Sequence, residues 1–252
     1  MNNNVYLLSH NGLGDNITMI GAVRFLLNFY DKVHFLCKNI YSDNVKMFFN
    51  NERVIIIPFD YKNESAECHR IIHSAYNHSD VLICGCHLNN LKSKITNQNI
   101  SKHVKNDGKY SVKWQHIYKF YNDIGLDLKI YYEMFDIPSS SNSIQYYNAV
   151  CNYKIIFTHT KSSNLEICFD EFDEYIHDDD YLIICANKNV YSENHSKFNI
   201  AQSYINLPVS EYIDIIKKAS HIYAIDSCFS CIINPLQKTN RLIANTVVIR
   251  ER

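Results

Sequence analysis

Short apolar runs rich in β-branched and aromatic residues alternate with segments of helical period along most of this chain. Strands are predicted over residues 5–9, 32–37, 54–58 and 80–84, with helices over 17–29, 43–49 and 64–76 between them. Ile71, Ile72 and Ala75 form the apolar stripe of the third helix. Parallel neighbours need a long crossover, and a helix is the usual one. The repetition therefore predicts an α/β fold whose parallel sheets carry helices on both faces.

The middle is less regular. Trp114, Ile117, Tyr118, Tyr121 and Ile124 recur at helical spacing and read as packing residues of a helix over 114–124. Residues 138–143, Pro-Ser-Ser-Ser-Asn-Ser, are polar and without hydrophobic period, the mark of a linker. A second α/β set follows, with strands over 154–158, 181–186, 221–225 and 246–249. Helices are predicted over 209–219, capped by Ser210, and over 229–236. The expected architecture is two Rossmann-like domains, 1–138 and 139–252, facing a central cleft. Ligands of such sheets gather at the C-terminal strand ends.

Composition excludes several classes. The chain has 252 residues, 46% hydrophobic, enough for a sizeable core. A net charge of −1 gives no electrostatic case for nucleic acid as a partner. Among nine cysteines, the close pairs Cys84/Cys86 and Cys228/Cys231 lack the further ligands a zinc site needs. Free thiols in a reducing compartment are expected. No stretch approaches the roughly 18 apolar residues of a membrane span. Met1-Asn2-Asn3-Asn4 leads directly into a strand, so no signal peptide is expected and a cytoplasmic location is.

Three strand-end loops carry the chemistry. After the first strand come Asn11, Gly12, Leu13, Gly14, Asp15 and Asn16, read as a two-glycine turn and a helix opening on Asp15-Asn16. Glycines can take positive φ and let a ligand approach the backbone. The helix start aims unpaired N–H groups at the turn. Asp15 is either a helix cap or a reactive carboxylate beside a bound anion. No third glycine follows, and Cys37-Lys38-Asn39 occupies the place of an acidic ribose ligand, which disfavours NAD. A P-loop is absent as well.

The second loop, Thr158-His159-Thr160-Lys161-Ser162-Ser163-Asn164, offers hydroxyls and one point charge, as suits phosphate oxygens or a plain polar surface loop. His159 by itself reads as structural. The third runs Asp226-Ser227-Cys228-Phe229-Ser230 into a short apolar helix, whose N–H groups can face an anion. Cys228 has no evident base beside it, so thiol catalysis is disfavoured. Asp178-Asp179-Asp180 precedes a strand and reads as a solvated turn.

Strand–Gly-Leu-Gly-Asp–helix at the front, paired with strand–Asp-Ser–turn–helix near the end, resembles the heptosyltransferase-like glycosyltransferases of the GT-B fold. The likeness covers the first thirty residues well and the last hundred loosely. It implies a metal-independent, inverting transfer of sugar from a nucleotide-diphosphate donor to an acceptor hydroxyl. The donor is a substrate, and no cofactor or metal is implied. Asp15 would be the general base, and Asn11, Gly12, Gly14 and Asn16 would line the acceptor side. Lys161, Ser162, Ser163, Asp226, Ser227, Cys228, Phe229 and Ser230 would hold the donor diphosphate. A glycan or lipid-linked acceptor would be the partner. The alternative is a non-catalytic nucleotide-sugar or carbohydrate-binding protein with the same shell. A hydrolase is disfavoured because no Gly-x-Ser-x-Gly elbow occurs.

Overall fold

A computed structural model describes residues 3–9, 12–85, 88, 90–97, 100, 115–162 and 166–251. The chain divides into two compact units, Met1–Ile137 and Pro138–Arg252. In the first unit, strands β1 (Asn4–Leu8), β2 (Lys32–Lys38), β3 (Val54–Phe59) and β4 (Asp80–Ile83) form a four-stranded sheet in the order β3-β2-β1-β4. Every pairing is parallel. The connecting helices are α1 (Leu13–Thr18), α2 (Ile20–Leu26), α3 (Ser42–Met47) and α4 (Glu64–Ala75). Cys68, Ile72 and Ala75 of α4 share one core cluster with Leu8, Leu36, Phe59 and Val81 of the sheet. Helices α5 (Gln115–Asp123) and α6 (Leu128–Glu133) follow later in the same unit.

The second unit opens with α7 (Ser141–Asn148) and builds its sheet from β5 (Lys154–His159), β6 (Tyr181–Cys185), β7 (His221–Ile225) and β8 (Thr246–Arg250). The order is β6-β5-β7-β8, again all parallel. Its other helices are α8 (Phe198–Gln202), α9 (Ile213–Lys218) and α10 (Ser230–Lys238). The α/β expectation holds in both units. No helix among the described residues is long and apolar enough to cross a membrane.

Four local expectations are corrected. The first helix starts at Leu13, not Ile17, and breaks at Met19, so Asp15 stands at the third helical position rather than at the opening. Periodicity missed this turn because its inward residue Asn16 is polar yet fully buried. Gly12 has φ −79°, so this turn uses no left-handed residue there. The polar run after Pro138 is a helix start: Ser140 caps α7 by accepting from the Ser143 N–H, and the Ser143 hydroxyl reaches Asp214 Oδ2 at 2.6 Å. Ser210 caps nothing, because a 3₁₀ turn over Val209–Tyr212 precedes α9. Of the aromatic stripe, Tyr121 is buried but Tyr118 is 45% exposed; Trp114 lies outside the described residues.

Candidate functional site

In a doubly wound sheet the chain first builds to one side and then to the other, and the strands where it reverses splay their loops apart. The first sheet reverses between β1 and β4, the second between β5 and β7. The loops singled out by sequence follow β1, β5 and β7.

After β1, Gly12 caps α1 and its N–H donates to Asp15 Oδ2 at 2.9 Å. Asn16 Nδ2 donates to the Gly12 carbonyl at 2.9 Å, and the Thr18 hydroxyl to the Gly14 carbonyl at 3.0 Å. A Cβ on Gly12 would come 2.7 Å from Asp15 Oδ2, so the absence of a side chain there is what seats the carboxylate. Asp15 stays half-buried, and among the described residues Oδ1 makes no hydrogen bond. Asn11 lies outside the described residues. A cavity of about 510 Å³ opens elsewhere on the same strand-end side, lined by Tyr61, Lys62, Asn63, Glu64, Ser65 and Leu88 among others.

At the second reversal β5 is tied to both neighbours by side chains. Toward β6, the Thr160 N–H donates to Asn187 Oδ1 at 2.9 Å and Asn187 Nδ2 donates to Thr160 Oγ1 at 3.0 Å. Toward β7, His159 Nδ1 lies 3.0 Å from Ser227 Oγ. The His159 ring packs on Phe229, centroids 4.7 Å apart. Burial pushes the imidazole down to about 4, so the ring is neutral near neutral pH.

The turn after β7 is closed on itself. The Ser227 N–H donates to Ser230 Oγ at 3.1 Å, and the Ser230 hydroxyl lies 2.9 Å from Asp226 Oδ1 and 2.6 Å from the Ser227 carbonyl. The Phe229 N–H donates to Ser227 Oγ at 3.3 Å. Helix α10 begins directly beyond, with no side chain capping its N-terminus. Phe229 itself is buried against Phe157 and Tyr212 and serves the core. Cys228 is half-buried and Cys231 buried.

Lys161 is exposed and pairs as an antiparallel bridge with Glu166. Lys188 Nζ sits 2.9 Å from Glu166 Oε1, an ion pair that holds the Glu166 carboxyl below its usual range. Ser162 is half-buried, and Ser163 lies outside the described residues. Asn187 and Lys188 directly follow β6, so strand-end position is the sequence signal that marks them, as it marks His159, whose residue type alone reads as structural. Among the described residues no three His, Cys, Asp or Glu side chains converge as a metal site.

No protein-family model matches the chain, and no curated protein matches its sequence. Solved structures do match it in shape. E. coli ADP-heptose LPS heptosyltransferase II aligns with 98% of this chain and 89% of its own, at 9% identity and TM-score 0.56. A family 9 glycosyl transferase from Veillonella parvula aligns with 99% of this chain and 87% of its own, at 9% identity and TM-score 0.55. E. coli heptosyltransferase WaaC, solved with ADP-2-deoxy-2-fluoro heptose, covers 99% and 92%, at 9% identity and TM-score 0.50. At such identity the likeness is one of fold. That fold is GT-B-like, with two Rossmann-like units built on parallel sheets.

Proposed function

We propose that the chain is an inverting, metal-independent glycosyltransferase that moves a sugar from a nucleotide-diphosphate donor to an acceptor hydroxyl. The observation that carries this reading is the β5/β7 reversal, where the loop of Lys161 and Ser162 follows one strand and a tight turn leading into α10 follows its neighbour. Helix N–H groups at the start of α10 and the Lys161 ammonium are the donors proposed for a departing diphosphate. The Ser227 and Ser230 hydroxyls shape the turn beneath them. Asp226 shapes this turn through Ser230. Ser163 belongs to the same loop in sequence.

On the first unit, Asp15 is the proposed general base. Its Oδ2 is fixed by the Gly12 N–H, which orients Oδ1 to take the acceptor proton as the hydroxyl attacks the anomeric carbon. Gly12 and Gly14 at the start of α1 are the proposed acceptor-side residues, with Asn11 before them in sequence. Asn16, expected on the acceptor side, is instead fully buried and holds the Gly12 carbonyl. A glycan or lipid-linked acceptor is the proposed partner. The similar structures include one solved with an ADP-sugar analogue, which makes ADP-heptose the first donor to test. The chain is further proposed to work in the cytoplasm, where nucleotide sugars are made.

The test is Asp15→Asn assayed for donor binding and for transfer or donor hydrolysis. Binding should survive while turnover collapses; unchanged turnover removes Asp15 as the base. A wild-type chain that binds donor sugars yet never transfers or hydrolyses them would instead be a binding protein with this shell.

A further inference from the structure

The backbone ladder between β5 and β7 ends at the pair His159↔Ala224. Beyond it side chains join the two loops: the His159 ring packs on Phe229 and also makes a hydrogen bond across to the turn. His159 Nδ1 meets Ser227 Oγ at 3.0 Å, two residues past the end of β7. The same Ser227 oxygen receives the Phe229 N–H, so a single hydroxyl serves both the turn and the neighbouring strand. Its orientation is thus set from two sides.

We propose that His159 is a positioning residue of the donor site: it fixes Ser227, and through it the Asp226–Ser230 turn, in the shape that receives a diphosphate, without itself touching the ligand. This rests on the donor reading above. A phenylalanine would fill the same space against Phe229, yet the chain places here a ring with a polar atom aimed at Ser227. The neutral ring offers no cation to a phosphate, so its contribution runs through the hydrogen bond. Without that bond the Ser227 hydroxyl is free to rotate, and the Phe229 N–H loses a fixed acceptor. The turn must then be ordered at the expense of binding.

Titration calorimetry with ADP, UDP, GDP and dTDP tests the assignment on the wild type, His159→Phe, His159→Asn and His159→Gln. Asn carries its amide where Nδ1 stood, whereas Gln carries it where Nε2 stood. His159→Phe is expected to keep its melting temperature and bind about five- to tenfold more weakly, the worth of one hydrogen bond. Asn should restore binding and Gln should not. A folded His159→Phe with wild-type affinity, or Asn as weak as Phe, overturns the assignment. Should the Phe variant fail to fold, Ser227→Ala leaves the ring packing in place. Adding His159→Gln to Ser227→Ala should lose nothing further, and additive losses overturn the assignment. A wild-type chain that binds none of ADP, UDP, GDP and dTDP sinks the donor reading itself, and this assignment with it.

Discussion

Asp15 satisfies the Gly12 N–H, and a carboxylate in the first turn of a helix also meets the positive end of its dipole. Cap and base are compatible, since the two roles use different oxygens. Asp15→Asn can keep the cap through its amide oxygen while losing the basic one. Turnover is therefore expected to fall by about 10²- to 10⁴-fold in a steady-state assay, with donor affinity unchanged. Gly12→Ala should act through the same group. The new methyl group would press on Oδ2 at 2.7 Å, and a flexible side chain yields rather than the fold. Lower turnover is the expected outcome, with stability in melting curves reduced by no more than the loss of one helix cap, about 0.5–2 kcal/mol. The turn around Asp15 was legible in sequence because two glycines and an aspartate follow directly on an apolar strand run. The cap was not legible, since it depends on where the helix begins.

Among the elements, α2 approaches α6 closely. A Cβ on Gly21 would stand 2.5 Å from the Ile130 carbonyl and 3.1 Å from Tyr121 Oη. Tyr121 uses that hydroxyl to receive the Ala22 N–H and to donate to the Thr18 carbonyl, so neither neighbour can move cheaply. Gly21→Ala is expected to cost about 1–3 kcal/mol in chemical denaturation, as overpacking of a core does. Gly85 is under a second constraint: its φ is +57°, and a Cβ would fall within the Phe120 ring. Most strands and helices were legible from periodicity, which reports which apolar residues face inward. It failed where burial is polar, as at Asn16 and Ser143, since hydrogen bonding there replaces hydrophobic contact.

For the molecule as a whole, two kinds of buried group set the acid limit of stability. His159 has a folded value of about 4 against roughly 6.5 when unfolded, so between these the unfolded chain takes a proton the fold refuses. Stability should fall as pH drops through that window, and His34 and His221, both lowered by burial, act in the same direction. Asp80 acts below it. Burial alone would raise its carboxyl, but hydrogen bonds from Tyr30, Thr96 and Asn97 outweigh this and hold it down. Its stabilisation is complete above about pH 4 and is lost as pH falls through the depressed folded value. Melting curves of His159→Asn should show a shallower decline from about pH 6.5 to 4 than the wild type. A true donor at a hundredfold its dissociation constant should add about 2.7 kcal/mol, read as a thermal shift across ADP-, UDP-, GDP- and dTDP-sugars. The α/β class and the strand-end loops were determined by sequence alone, because alternation and turn chemistry act over a few residues. Strand order, the reversal points and the His159–Ser227 contact were decided by tertiary structure alone. Each brings together residues far apart in the chain, and no local pattern records which strands become neighbours.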